Sequence, residues 1–229
     1  MLKKIYRICD KRGGRTLIKG ISKRDCFLNF IKVFGTTDLT VVADNTKPDT
    51  IEFIKTFTSN VHVTALGNSK SFLYALDIAI HNNRVSDAVY LVEDDYLHLG
   101  NAEKIILEGI QRADYISLYD HPDKYMNPGP NPFVQDGGEV TKVILTQSTH
   151  WKYTNSTTMS FAAKIQTLKE DYEIIKRHCV TERPLDFKMF CNLGKLNKKI
   201  ITPLPGRSTH CDHFPAPFIF RQPRPNARI

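Results

Sequence analysis

The side chains best suited to chemistry are carboxylates: Asp10, Asp44 and the tripeptide Glu93-Asp94-Asp95. Adjacent carboxylates repel one another, and burying them unpaired is costly. A hard divalent cation offsets that repulsion and takes oxygen ligands; Mg2+ or Mn2+ is commonly held by one or two carboxylates plus phosphate oxygens. The [DE]-x-D spacing of Glu93 and Asp95 lets both side chains point to one side of an extended turn, so the pair can hold a metal ion that bridges a diphosphate. The plainer alternative is a surface acidic loop with a helix cap.

Each acidic position follows an apolar run, which implies strands that deliver the acids to their ends. Residues 4–9 read as a short strand ending at Asp10, with a polar loop over 11–20. Ser22 and Asp25 suit a helix N-cap and an acidic first turn. Phe27, Phe30, Ile31 and Phe34 then recur at helical spacing, and Gly35 stops the run. A buried strand over 39–43 ends in Asp44, and Thr46 is placed to cap a helix that begins at Pro48. A third strand (61–66) leads through Gly67-Asn68 into a helix bearing Phe72, Leu76, Ala79 and Ile80 on one face. A fourth strand (88–92) runs into Glu93-Asp94-Asp95. Asn101 is placed to cap a helix through Ile106 and Ile110, and 115–118 reads as a fifth strand. Strict β-α alternation over the first 120 residues implies an α/β fold with a mostly parallel central sheet and helices on both faces. Ligands of such sheets bind beyond the carboxyl ends of the strands, where all these acids fall.

The second half has a different texture. A Pro/Gly/Asn loop (121–132) precedes an expected hairpin that pairs 133–134 with 140–145 around Gly137-Gly138. A polar, aromatic stretch (149–161) follows, then helices marked by Ile165, Leu168, Tyr172 and Ile175 and by 185–193, and a last strand at 200–201. The proline-rich basic end, 214–229, reads as irregular. The expected division is 1–120 as the ligand-binding half, 121–213 as the second half of the same domain, and 214–229 as a tail.

Composition narrows the classes. The 229 residues are 41% hydrophobic and 24% charged, enough apolar mass for a core and too much for wholesale disorder. No apolar run approaches the ~20 residues of a membrane span, and the basic N-terminus lacks the apolar core of a secretory signal. Five cysteines without CxxC spacing suit a reducing compartment. The expected location is therefore the cytoplasm, or a host's cytoplasm for a viral chain. The net charge of +8 admits nucleic acid or a phosphorylated ligand, but no zinc spacing, RNP motif or helix-turn-helix supports nucleic acid as the partner.

The order of elements resembles the nucleotide-sugar-binding half of the GT-A glycosyltransferases, especially family-2-like enzymes and short viral or bacterial relatives. The matching motifs are RICDK (7–11), VVADNT (41–46), GNSKSFLYAL (67–76), LVEDDYLH (91–98), STTMSF (156–161) and PLPGRSTHCD (203–212). Their order over residues 3–213 is the specific feature. The resemblance implies a Rossmann-like GT-A sheet with a smaller C-terminal α+β acceptor region. It implies that Asp44 accepts from the N3–H of a uracil or thymine ring, that Arg7 and Asp10 hold base and ribose, and that Asn68, Lys70 and Asp94 lie beside the nucleotide. A helix N-terminus favours phosphate in any case. Glu93 and Asp95 become a DxD-type pair for Mn2+ or Mg2+, with His210 as a further metal ligand. His210 as an ordinary loop histidine is the alternative.

The implied activity moves a sugar from a UDP- or dTDP-type donor to an acceptor hydroxyl, on a glycan or another molecule, with inversion. An inverting enzyme needs a carboxylate to take the acceptor's proton. Asp186 is the first choice and Glu182 the second; both are also well placed as helix-start acids, and Asp120 and Asp123 compete. The chain has no compact EDxxL or QxxRW motif. His150, Trp151, Tyr153, Thr157 and Thr158 are acceptor-pocket candidates, since an aromatic ring beside hydroxyls suits a sugar; a core role is the common use of such a tryptophan. A sugar-phosphate nucleotidyltransferase is the main competing reading, although Gly13-Gly14-Arg15 makes a poor nucleotide loop. A zinc site from His210, Cys211 and His213 lacks partners at the usual spacing.

Overall fold

The computed structural model describes residues 1–10, 18, 20–126, 128–134 and 136–211. Most of the polar 11–20 loop, the 214–229 tail and His213 lie outside the described residues. The first strand, β1 (Leu2–Ile8), is buried on both faces: Leu2, Tyr6 and Ile8 enter one apolar layer and Ile5 the other. That double burial is why a central parallel strand reads as a nearly continuous apolar run.

Helix α1 (Lys23–Phe34) starts at the expected capping box, in which Ser22 and Asp25 satisfy each other's backbone N–H. It ends at Gly35, whose φ of 67° suits a residue without Cβ. Its Phe27 and Phe30 pack on Tyr6, with ring centroids 5.2 and 5.0 Å apart. Then come β2 (Leu39–Asp44), α2 (Pro48–Lys55), β3 (Val61–Thr64), α3 (Asn68–Asn82), β4 (Ala88–Glu93), β5 (Tyr96–His98), α4 (Ala102–Gly109) and β6 (Tyr115–Ile116). The second half adds β7 (Val143–Leu145), β8 (His150–Thr154), β9 (Phe161–Lys164), α5 (Ile165–Arg177), α6 (Asp186–Lys195), β10 (Ile200–Leu204) and β11 (Ser208–His210).

Among the described residues, nine strands form one sheet in the order β3-β2-β1-β4-β9-β6-β10-β8-β7. One apolar layer, with α1 and α4, covers one face; the other, with α3, α5 and α6, covers the opposite face. The run β3-β2-β1-β4 is parallel, as expected. The next step is not: β9, from the second half, inserts antiparallel between β4 and β6. Its Ala162 and Ala163 are fully buried, one in each layer, which suits a central strand. Strands of both halves thus share one sheet.

Several local expectations are corrected. Thr46 does not cap α2; Lys47 holds the N-cap position, and the Thr46 hydroxyl donates to the carbonyls of Ile8 and Asp44. Asn101 precedes α4 in a left-handed conformation and makes no side-chain cap bond. Among the described residues no hairpin pairs across Gly137-Gly138; β7 pairs with β8 instead, with Ile144 opposite Trp151. No helix among the described residues is long and apolar enough to cross a membrane.

Candidate active site

Asp44 ends β2 and Glu93 ends β4, on either side of β1 and at the same edge of the sheet. Two strand spacings separate them, about 10 Å at ~4.8 Å per strand. Register places Arg7 directly beside Glu93. The Arg7 guanidinium donates to Glu93 Oε1 at 2.9 Å, to the Asn68 carbonyl at 2.9 Å, and to Asn68 Oδ1 and Ser71 Oγ at 3.3 Å. It also lies over the Phe72 ring, 5.3 Å from its centroid. Arg7 therefore joins Glu93 to the first turn of α3.

The three acids of the tripeptide face three different partners. Glu93 faces Arg7; burial, reinforced by Asp95 and Asp186, pushes its carboxyl up to about 7 even though Arg7 and His210 pull it down. Asp94 turns inward, where its Oδ2 accepts from the Cys9 N–H at 2.7 Å and pairs with Lys23 Nζ at 2.9 Å. Burial raises Asp94 to about 6 against the pull of Lys23. Asp94 is thus a brace between the end of β1 and the start of α1. Asp95 Oδ2 meets His210 Nε2 at 3.0 Å.

His210 reaches Asp95 through a second, two-stranded sheet. Strand β11 pairs antiparallel with β5, with His210 opposite Tyr96. The Cys211 N–H donates to the Asp95 carbonyl at 2.7 Å, and the rings of Tyr96 and His210 lie 4.7 Å apart. Ligands of an octahedral ion at 2.0–2.1 Å sit about 3 Å from each other when adjacent. The Asp95–His210 separation fits two such positions. Glu93 does not join them, and among the described residues no group of three or more His, Cys, Asp or Glu side chains is arranged to hold a metal ion.

Asp44 is already fully occupied. Its Oδ1 accepts from the Leu66 N–H (2.6 Å) and the Thr64 hydroxyl (2.8 Å), and its Oδ2 from the Asn45 amide (2.8 Å) and the Gly67 N–H (3.0 Å). A carboxylate offers about four lone-pair sites, so none is left for a pyrimidine N3–H in this arrangement. Burial works against its charge, but these four donors hold the carboxyl below the usual range. Its role is to shape the 64–67 loop that opens α3. Asp10 likewise accepts from the Lys47 N–H at 2.5 Å and the Thr50 hydroxyl at 3.3 Å, which places it at the N-terminus of α2. Asn68 and Lys70 lie exposed in the first turn of α3.

The second-half residues divide into two groups. The insertion of β9 brings the segment before it to the acidic rim: Ser160 Oγ accepts from the Glu93 N–H at 3.0 Å. Thr158 accepts from the Tyr96 hydroxyl at 2.8 Å, and Thr157 lies 2.6 Å from the Ser117 hydroxyl. The segment before α6 closes on the same rim, since the Glu182 carbonyl accepts from the Ser69 N–H at 3.3 Å. Asp186, at the start of α6, is near enough to Glu93 to raise its pKa. His150 and Trp151 are not brought there. They lie on β8, four strand positions from β4, on the order of 20 Å away. Trp151 is wholly buried, its ring against Gly109 and its Nε1–H donating to Thr146 Oγ1 at 2.9 Å. It is a core side chain, not the wall of an acceptor pocket.

Lys23, Ser71, Tyr96 and Ser160 join the site without having been singled out from the sequence. Ser71, Tyr96 and Ser160 lie within the GNSKSFLYAL, LVEDDYLH and STTMSF motifs, which are their local signal; Lys23 is recruited by long-range packing alone.

The fold recurs among solved structures. GalNAc-T7, crystallised with UDP, GalNAc and Mn2+, superposes with a TM-score of 0.61 at 10% identity, over 91% of this chain and 42% of that one. A nucleotidyl transferase from Methanothermobacter thermautotroptrophicus gives 0.50 at 11% identity, over 88% and 86% of the two chains. S. aureus TarS 1–349 gives 0.49 at 15% identity, over 88% of this chain and 57% of that one. The chain therefore spans less than two thirds of the GalNAc-T7 and TarS chains. No family model matches the sequence, and no curated protein matches it. By architecture, the chain has a Rossmann-like α/β fold of the GT-A type, which nucleotide-sugar transferases and nucleotidyltransferases share.

Proposed function

We propose that the chain is a divalent-metal-dependent glycosyltransferase that moves a sugar from a UDP- or dTDP-type donor to an acceptor hydroxyl, with inversion. The observation that carries this reading is the Asp95–His210 contact of 3.0 Å at the carboxyl edge of the sheet, on a fold shared with a transferase crystallised with UDP, GalNAc and Mn2+. Asp95 and His210 would hold Mn2+ or Mg2+, which would offset the charge of the departing nucleoside diphosphate.

This chain's own residues do the rest. Arg7 fixes Glu93 and the first turn of α3, so that Asn68, Lys70 and the helix N-terminus face the donor's phosphates. Asp44 acts indirectly, by holding the 64–67 loop, and Asp10 by holding the start of α2. Asp186 takes the proton of the acceptor oxygen as the bond to the sugar forms; Glu182 is the alternative base. Thr157 and Thr158 lie on the acceptor side of the rim.

A second reading, transfer of a nucleotidyl group to a sugar phosphate, has its own support in the likeness to the Methanothermobacter nucleotidyl transferase, which this chain covers to 86%. A thermal-shift panel of nucleotide sugars and nucleoside triphosphates, each with and without Mn2+, tests both. Ligand-linked stabilisation grows with concentration over the dissociation constant. Stabilisation by a UDP- or dTDP-sugar only with Mn2+ is expected. Stabilisation by a triphosphate alone, with pyrophosphate released on adding a sugar phosphate, would reject glycosyl transfer in favour of the second reading.

A further inference from the structure

We propose that Cys26 and Cys211 form a disulfide when the protein meets a peroxide oxidant, and that this cross-link couples redox state to the segment bearing His210. Cys26 lies on the inner face of α1 and Cys211 directly follows β11; both side chains are fully buried, and their sulfurs are 4.0 Å apart. The two residues stand 185 positions apart in the chain, so only the tertiary structure brings them together. Their contact links the α1 layer to the small β5–β11 sheet.

A disulfide requires an S–S separation of about 2.05 Å. Oxidation therefore draws the two sulfurs together by roughly 2 Å. The Cys211 backbone is held between the Asp95 carbonyl, which accepts from its N–H at 2.7 Å, and the Ile18 N–H, which donates to its carbonyl at 2.8 Å. Its preceding neighbour, His210, meets Asp95. A pull on Cys211 toward α1 is thus transmitted to the Asp95–His210 pair. The chemistry balances with one equivalent of hydrogen peroxide. One sulfur attacks the O–O bond and becomes a sulfenic acid, and its former proton leaves with the displaced oxygen as water. The second sulfur then displaces the hydroxyl from the sulfenic sulfur, and that hydroxyl leaves as water with the second thiol's proton.

Formation of the disulfide stands independently of the enzymatic reading; its effect on His210 rests on that reading. The test treats the whole chain with hydrogen peroxide, removes the peroxide, unfolds the chain in guanidinium with N-ethylmaleimide to block every remaining thiol, and maps peptides without reduction. The expected result is a linked Cys26–Cys211 peptide, two hydrogens lighter than the separate pair and released by dithiothreitol. Maleimide on both Cys26 and Cys211 after Cys9 or Cys191 has oxidised would overturn the proposal. This arm needs no variant, so a poorly folding substitution cannot obscure it. In a second arm, the thermal shift from UDP plus Mn2+ is compared before and after peroxide. The shift should fall by at least half in the oxidised protein and return on reduction, while Cys26→Ala keeps it throughout. A linked peptide with an unchanged shift overturns the coupling. A reduced protein that shows no shift with UDP and Mn2+ rejects the donor reading, and the peptide map still decides the disulfide.

Discussion

His210 Nε2 sits 3.0 Å from Asp95 Oδ2, although the two residues stand 115 positions apart in the sequence. The pairing of β11 with β5 makes the contact by setting His210 across from Tyr96, next to Asp95. Asp95→Ala and His210→Ala should therefore each abolish the Mn2+-dependent part of donor stabilisation. Turnover should fall by at least ~10–100-fold, the usual loss when a group that tunes a metal site is removed. Far-UV circular dichroism should stay native. Full Mn2+ dependence in either variant would sink the metal assignment.

Arg7 is the only cation that an ion pair places on Glu93 among the described residues. Arg7→Met leaves a largely buried carboxylate without its partner and frees the Asn68 carbonyl from a donor. Breaking a well-buried pair costs ~3–5 kcal/mol and an exposed one under ~1; since Glu93 remains 22% exposed, a loss of about 1–3 kcal/mol is expected. Urea unfolding measures it, and Arg7→Lys should recover only part because the fork geometry is lost.

Asp44 contributes to the acid limb of stability. Its carboxyl lies below the ordinary range when folded, so the unfolded chain binds more protons there and stability rises with pH. That contribution is present above the unfolded value near ~3.9 and is lost as pH falls below it. Asp44→Asn should show a lower plateau at neutral pH and a shallower decline in acid. Asp44→Ala orphans the Leu66 and Gly67 N–H groups and should cost about 1–3 kcal/mol. An unaltered profile of melting temperature against pH would contradict this role.

Gly109 tests the core placement of Trp151. A Cβ at this position would sit 2.7 Å from Trp151 Cη2 and 2.9 Å from Ile116 Cδ1. Gly109→Ala should therefore destabilise by about 1–3 kcal/mol through overpacking. Acceptor KM should be unchanged at temperatures where the variant is folded. A rise in KM without loss of stability would return Trp151 to the acceptor pocket.

Asp186→Asn probes the base. Loss of a general base typically lowers turnover by ~10^2–10^4-fold, while donor affinity measured by calorimetry should stay within about twofold, a difference of ~0.4 kcal/mol. Unchanged turnover would dismiss Asp186, and a large loss in Glu182→Gln would then promote Glu182.

Local patterning in the sequence determined the first half: the apolar runs of β1, β2 and β4, the Ser22–Asp25 cap of α1, and the arrival of Asp10, Asp44 and Glu93 at strand ends. These features depend on neighbours within one helical turn or one strand, so spacing alone reveals them. The partner of each acid was not local. Asp44 met the Leu66 and Gly67 N–H groups of the turn after β3, Asp94 found Lys23 on α1, and Asp95 found His210 through β11. Strand β9 entered the sheet between β4 and β6, against the expectation of neighbouring parallel strands, and Trp151 went to the core. Such choices belong to the tertiary structure because register between distant strands is set by which apolar faces can be buried together, and a four-residue run such as β9 carries too little pattern to announce its partners.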